Sequence, residues 1–208
     1  HSPVQGVMGT FCAALGNDSY AATVMPYSKA WFRVPETIKV EIVGETPKGT
    51  TARDVALWLC AQIGEGAINY QAIKFCGEYI ESLDFWDRWL FPLMAVDVGA
   101  KSAYIEPDQV TIDFAESLGL SDYEVLADDP GTTYAAEWRY DVTGLEPQIC
   151  FPPTVGNVAP IREYVGTPVQ WAELGGHGGG RQVDFEMAAH VLAQKPKHEH
   201  VNFNLVPA

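Results

Sequence analysis

Residues 175–180 read Gly-Gly-His-Gly-Gly-Gly, a glycine run around a single histidine. The residues before it, 169–174, have the composition of a strand, and residues 182–193 have the pattern of a helix. Glycine lets the backbone approach a ligand closely, and free peptide N–H groups at a helix start attract anions. The run therefore predicts an anion-binding turn, with a flexible loop as the simpler alternative.

The histidine of this run, His177, has several interpretations. Imidazole ligates metal ions and replaces cysteine on one iron of some iron–sulfur centres, so the residue could hold a cluster or a single metal. It could instead bind a carboxylate directly, or be inert. The sequence leaves these alternatives open.

A second candidate is Asp97, the only acid in an apolar run from Trp89 to Val98. A carboxylate in such surroundings needs a partner or a water-filled cleft. The functional interpretation is an acid–base residue. The structural alternative is a salt bridge with Lys101, one helical turn further on.

These residues must be positioned by alternating strands and helices, and such alternation indicates an α/β fold. Period-two and short apolar runs predict strands at 37–43, 72–75, 102–105 and 169–174. Apolar runs at helical spacing predict helices at 20–25, after Thr51, and at 87–100, 111–118 and 182–193. The alternation in His198-Glu199-His200 predicts one more strand.

Composition excludes two classes of partner. The net charge is −14, which argues against nucleic-acid binding because phosphate neutralisation needs Lys and Arg. No apolar stretch reaches the roughly 18 residues of a membrane span. The four cysteines are widely spaced and form no C-x-x-C pair, as expected of buried thiols in a reducing cytoplasm.

Three ordered stretches resemble the large subunits of the aconitase family, among them isopropylmalate isomerase and homoaconitase. Residues 31–55 contain Val-Pro-Glu-Thr-Ile, a glycine turn and Ala-Arg-Asp-Val; residues 77–108 contain Gly-Glu-Tyr-Ile, Met-Ala-Val-Asp-Val-Gly-Ala-Lys and Glu-Pro-Asp. Residues 145–148, Leu-Glu-Pro-Gln, match the opening of the family's third domain.

The resemblance implies aconitase-like three-layer α/β/α domains. Residues 1–33 would end the first domain, 34–143 would form the second, and 144–208 would begin the third. The chain would then be an internal segment, incomplete at both ends, whose remainder of the large subunit lies elsewhere. His1 stands at the histidine of the family's Asp-Ser-His-Thr motif, and residues 206–208 lie before its C-x-x-C pair.

The resemblance also implies site residues. His1 and Asp97 match family positions that face the cluster and substrate, and His177 stands where the first cluster cysteine would be. We expect these three residues to converge on one cleft. The substrate anion would be bound by Gly176, Gly178, Gly179 and Arg181.

The implied cofactor is a [4Fe-4S] cluster, with a single metal ion or no metal as alternatives. Three positions depart from the family pattern. Leu93 replaces an active-site Asn, Lys74 replaces a Glu, and Pro92 interrupts a family helix.

The implied activity is that of a hydro-lyase or isomerase acting on a small hydroxy di- or tricarboxylic acid. Its partners would be that carboxylate substrate and a smaller swivelling subunit or domain. The alternative is a non-catalytic or mononuclear-metal paralogue that serves as a structural subunit of a larger complex.

Overall fold

The computed structural model describes residues 6–10, 18–176 and 179–207. The chain divides into two compact units, His1–Glu163 and Tyr164–Ala208. Helices and strands alternate along it, which confirms the predicted α/β class. The first unit contains helix α1 (Asp18–Tyr27), at the predicted place, and a four-stranded sheet of β1 (Thr37–Val43), β2 (Ala72–Cys76), β3 (Ser102–Ile105) and β4 (Ala136–Asp141).

The sheet has the order β3-β2-β1-β4, and all four strands are parallel. Side chains alternate between its faces as strand geometry requires. The apolar face is part of the core, where Ile38, Val40 and Ile42 are buried. On the opposite face the register aligns one row of polar side chains: Tyr104, Lys74, Lys39 and Glu137.

Helix α2 (Ala52–Ile63) packs into the same core. Its buried residues recur at helical spacing: Ala52, Val55, Ala56, Leu59 and Cys60. Thr51 caps the helix as predicted, because its backbone N–H and hydroxyl donate to the Asp54 carboxylate at 2.7 and 2.6 Å.

The predicted single helix at 87–100 is wrong. The connection from β2 to β3 consists instead of short pieces: α3 (Glu78–Ser82), α4 (Phe85–Arg88), α5 (Leu90–Met94) and a 3₁₀ turn (Ala95–Val98). Pro92 has no N–H and so cannot donate to the carbonyl of Arg88, where α4 ends. Gly99, with a left-handed φ of 91°, ends the 3₁₀ turn.

Helix α6 (Gln109–Ser117) follows β3, and the Asp108 carboxylate caps it. After β4, β5 (Gln148–Cys150) and β6 (Val158–Pro160) pair antiparallel. The backbone N–H of Gln148 donates to Asp54 at 2.7 Å, which ties β5 to the start of α2. The assignment of residues 1–33, 34–143 and 144–208 to separate family domains stays a prediction.

The second unit is a strand–helix–strand motif of β7 (Trp171–Gly175), α7 (Gln182–Gln194) and β8 (Asn202–Val206), with β7 parallel to β8. The predicted strand and helix on either side of the glycine run are confirmed. The strand predicted at residues 198–200 is wrong, because these residues form a coil and turn before β8. Among the helices described, none is long and apolar enough to cross a membrane.

Candidate functional site

Asp97 lies in the 3₁₀ turn between α5 and β3. In the same turn Ala95 and Val98 are buried, each with 2% of its surface exposed, while Asp97 is half-buried. Burial raises the pKa of the Asp97 carboxyl, and the negative charge of Glu65 raises it further. A carboxyl with raised proton affinity is suited to proton transfer.

Backbone pairing fixes the position of this turn. The N–H of Ile68 donates to the carbonyl of Val98 at 3.0 Å, and that of Tyr70 to Gly99 at 3.2 Å. In return the N–H of Lys101 donates to Gln71 at 2.8 Å. The segment after α2 therefore runs beside the segment that carries Asp97.

Asp97 and Lys101 do not form the salt bridge that was the structural alternative in the sequence analysis. Within the described residues, burial and Glu65 are the influences on the Asp97 proton. The Lys101 Nζ lies over the Tyr70 ring, 5.5 Å from its centroid, in a cation–π contact. Sequence reasoning missed Glu65, although an acid between Gly64 and Gly66 was a visible signal.

Two thiols, Cys60 of α2 and Cys150 of β5, are close enough to Asp97 for charges to interact. Burial and then Asp97 raise the pKa of Cys60 to about 12, and the same two causes raise the pKa of Cys150. Both thiols are therefore protonated near neutral pH when no metal is bound. Over the described part of the chain, no three His, Cys, Asp or Glu side chains are grouped to hold a metal ion.

In the glycine turn after β7, Gly175 occupies a position that only glycine tolerates, whereas Gly176 has a left-handed backbone with open space beside it. Gly175 has φ +130°, and a Cβ there would lie 1.8 Å from the carbonyl oxygen of Val206. Gly176 has φ +71° and donates its N–H to the same carbonyl at 3.1 Å. The N–H of Gly179 donates to Gly176 at 3.3 Å. Both amides thus already have protein acceptors, and anion binding by this turn stays a prediction.

Arg181 precedes the first residue of α7 and is tied to that helix. Its Nε and one terminal nitrogen donate to the Asp184 carboxylate at 3.1 and 3.0 Å, and its backbone N–H donates at 3.1 Å. Both side chains are almost fully buried. The contacts assign Arg181 to holding the turn, and its predicted role towards substrate stays a prediction.

Three predicted site residues lie outside the described residues: His1, His177 and Gly178. The expected convergence of His1, Asp97 and His177 on one cleft therefore stays a prediction.

Lys74, flagged in the sequence as a departure, is the centre of a charge cluster on the polar face of the sheet. It is 7% exposed and pairs with Glu106 and, at 2.6 Å, with Asp128. Burial alone would lower the pKa of Lys74, but hydrogen bonds to Asp128, Glu106 and Tyr134 outweigh it and raise the pKa. The cluster anchors the segment between α6 and β4 onto the sheet.

A cleft of about 440 Å³ opens at the carboxyl ends of β2 and β3, a common ligand position in α/β sheets. Arg88 lines it, is 1% exposed, and donates to Asp108 at 2.7 Å. Burial opposes ionisation of Asp108, yet the Arg88 guanidinium outweighs it and lowers the pKa of Asp108. Arg88 and Asp108 neutralise each other, so this pair brings little net charge to the cleft.

Comparison with known proteins identifies what the chain is similar to. A family model described as the aconitase family (aconitate hydratase) matches residues 1–206. The 3-isopropylmalate dehydratase large subunit 1 of Methanopyrus kandleri is 35% identical over 208 residues, covering 100% of this chain and 50% of that protein.

Two further relatives have a similar sequence identity to this chain. A probable methanogen homoaconitase large subunit of Methanothermobacter thermautotrophicus is 34% identical, over 100% of this chain and 48% of its own length. The 3-isopropylmalate dehydratase large subunit of Heliobacterium modesticaldum is 33% identical, over 100% and 49%. The chain spans about half the length of the curated relatives that it matches.

Proposed function

Because the chain belongs to the aconitase family, we propose that it is part of a hydro-lyase that dehydrates and rehydrates a small hydroxy di- or tricarboxylic acid. The observation that carries this proposal is the family match along residues 1–206. The names of the relatives supply the substrate class to test first, 3-isopropylmalate and the acids on which homoaconitases act.

Asp97 is the described residue best suited to the proposed chemistry. Elimination of water moves one proton from carbon and one to the departing hydroxyl, and a positioned carboxyl can take or give such a proton. Asp97 is half-buried, and its raised pKa lies closer to neutral pH than that of a free carboxyl. His1 would be a second acid–base group, and Gly176, Gly178, Gly179 and Arg181 would hold the substrate carboxylates.

The [4Fe-4S] cluster that the resemblance implies does not fit the described residues, which lack a metal-ligating group of three side chains. In this proposal His177 would be the residue of this chain that approaches a cluster or a single metal.

The proposed partners are a smaller swivelling subunit and the rest of the large subunit, in the cytoplasm. A parallel sheet is normally covered on both faces, and two strands alone are marginally stable. The second unit nevertheless exposes Trp171 by 58%, Leu205 by 56% and Val191 by 62%. We propose that further polypeptide covers these side chains in the assembled enzyme.

A non-catalytic paralogue, retained as a structural subunit, is the second candidate. Two observations favour it. Leu93, at the position of an active-site Asn in the resemblance, is 9% exposed and packs in the core. Lys74, at the position of a Glu, is committed to ion pairs with Glu106 and Asp128.

The deciding experiment uses the native complex that contains this chain. Hydroxy acids from the proposed class, beginning with 3-isopropylmalate, are added and the unsaturated product is followed by its absorbance. The hydro-lyase proposal expects turnover of at least one acid, and rehydration of its unsaturated product. Absence of turnover with the intact complex, across the whole panel, favours the structural subunit.

A further inference from the structure

We propose that residues 113–129 of the first unit are a docking surface for a polypeptide whose contacting face places lysine and arginine side chains around apolar ones. We call these residues the acidic strip. They comprise the last residues of helix α6 and the coil that leads from it towards β4. The inference does not depend on the proposed function, because it concerns an interaction surface and involves no reacting group.

The acidic strip lies within a long stretch that has no basic residue. Between Lys101 and Arg139 the chain has nine acidic side chains and no lysine, arginine or histidine. Four of the nine pair with a lysine or arginine from elsewhere in the first unit: Glu106, Asp108, Asp128 and Glu137. The other five are exposed and have no ion pair within the described residues: Asp113, Glu116, Asp122, Glu124 and Asp129. The acidic strip therefore carries five negative charges that are open to a partner.

Large apolar side chains are exposed among these acids. Five of them occur within nine residues of the chain: Leu118, Leu120, Tyr123, Val125 and Leu126. Leu118 and Leu126 are each 60% exposed, and Tyr123, the least exposed of the five, is 43% exposed. Soluble proteins rarely concentrate exposed apolar side chains in this way unless another molecule covers them. Apolar groups surrounded by charged ones are also the usual composition of a protein–protein contact surface.

Hydrogen bonds fix the coil of the acidic strip at both ends. At its start the N–H of Leu120 donates to the carbonyl of Ala115 at 3.1 Å, which closes the end of helix α6. At its other end Asp128 pairs with Lys74 at 2.6 Å, and the N–H of Asp128 donates to Glu106 at 3.2 Å. These anchors hold the coil in place before a partner binds, which lowers the entropy cost of association.

Between these anchors the peptide groups of the coil are unpaired. Within the described part of the chain, residues 121–127 make no backbone hydrogen bond, and all seven are exposed. Their N–H and C=O groups are therefore open to solvent or to a partner, as in the recognition of extended segments. The acidic strip thus offers charge, apolar side chains and backbone hydrogen-bonding groups together.

The chemistry of the acidic strip selects its occupant. Nucleic acids and anionic lipid surfaces would be repelled by its carboxylates. A second copy of this chain carries the same net charge of −14, and a symmetric contact would set carboxylate against carboxylate. A polypeptide face with Lys and Arg around apolar side chains satisfies both components. Opposite charges speed the encounter, and the apolar contacts slow dissociation.

The first test is zero-length carbodiimide cross-linking of the native complex that contains this chain, since the reagent joins a carboxylate to a lysine in direct contact with it. Mass spectrometry should find Asp122 or Glu124 joined to a lysine of a polypeptide other than residues 1–208. Glu45, exposed in the loop after β1, is the control and should be cross-linked far less often. Strip cross-links only to lysines of this chain or of a second copy, or none at all, overturn the proposal.

The second test measures binding of variants of the full protein to the polypeptide that the cross-links identify. Asp122→Asn with Glu124→Gln should slow association by about tenfold at low ionic strength, and the difference should shrink as salt is added. Tyr123→Ala with Leu126→Ser should instead speed dissociation by about tenfold or more. The matched control Glu45→Gln should change neither rate by more than about twofold.

All substituted side chains are exposed, so the variants should fold as the parent does, and circular dichroism checks this. Unchanged rates in both strip variants, or equal changes in Glu45→Gln, overturn the docking surface whether or not the complex is a hydro-lyase. Selective changes in a complex without dehydratase activity support the docking surface and count against the proposed function instead.

Discussion

Gly99→Ala is expected to destabilise the first unit far more than a glycine replacement at an equally left-handed but open position. Gly99 has φ +91°, and a new Cβ would lie 3.1 Å from the Cα of Gly66 and 3.4 Å from the carbonyl oxygen of Ile68. Gly119, with φ +75°, offers the matched control because no atom lies within 4 Å of its added Cβ.

The two costs can be separated. A residue with a Cβ pays about 1–2 kcal/mol for the left-handed conformation, which is the whole cost expected for Gly119→Ala. The contact of Gly99 with backbone atoms adds about 1–3 kcal/mol for overpacking, since neither neighbour is a flexible side chain. Gly99→Ala should therefore lower the free energy of unfolding by about 2–5 kcal/mol.

Denaturant unfolding of the two variants and the parent protein measures both effects under one set of conditions. The expected order is parent, Gly119→Ala, then Gly99→Ala. Because Gly99 supports the Asp97 turn, its replacement should also disturb the Asp97 titration. Equal destabilisation by the two alanines would refute the close backbone contact between Gly99 and Gly66.

Three other outcomes are expected. Lys74→Met should lower the free energy of unfolding by about 2–3 kcal/mol, which is less than for a fully buried pair because the partner carboxylates of Lys74 are partly exposed. Lys39→Met, which removes a more exposed ion pair, should lower the free energy of unfolding by less than about 1 kcal/mol. Similar losses for the two variants in denaturant titrations would contradict the burial of the Lys74 cluster. The pKa of Asp97 is higher in the folded protein than in the unfolded chain, so Asp97 contributes to stability at acidic pH, below its pKa in the unfolded chain. This contribution is lost as the pH rises through the pKa of Asp97 in the folded protein. Asp97→Asn should therefore be more stable than the parent at neutral pH and lose that advantage in acid. A stability difference between the two proteins that does not change with pH would contradict the raised pKa of Asp97. In the second unit, Gly175→Ala should lower the melting temperature more than Gly176→Ala, since only the former meets a backbone carbonyl.

Much of the fold was predictable because local patterns and packing agree. The strand at 37–43 alternates polar and apolar residues, and the structure buries the apolar ones. Thr51 and Asp54 predicted the start of α2, and the glycine run separates a strand from a helix as expected. These signals come from interactions between residues close in sequence, and such local interactions can be recognised from the sequence pattern.

The failures come from interactions that the pattern did not contain. The helix predicted at 87–100 followed the apolar pattern alone, although Pro92, which the sequence already marks as an interruption, divides the run into short pieces. The buried position of Lys74 depends on Asp128, 54 residues away, and could not be read from its strand alone. Asp97 stood out as a lone acid, but the segment that carries Glu65 is brought beside it by backbone hydrogen bonds between residues distant in sequence.

The most direct test of the central proposal is kcat/KM of the intact complex with Asp97 replaced by Asn. An acid–base residue contributes about 10²–10⁴-fold, so Asp97→Asn should lower kcat/KM for the preferred hydroxy acid by that factor. The variant should remain folded, with undiminished stability at neutral pH. A folded Asp97→Asn complex that retains nearly the parent activity would contradict the assignment of Asp97 to the reacting centre.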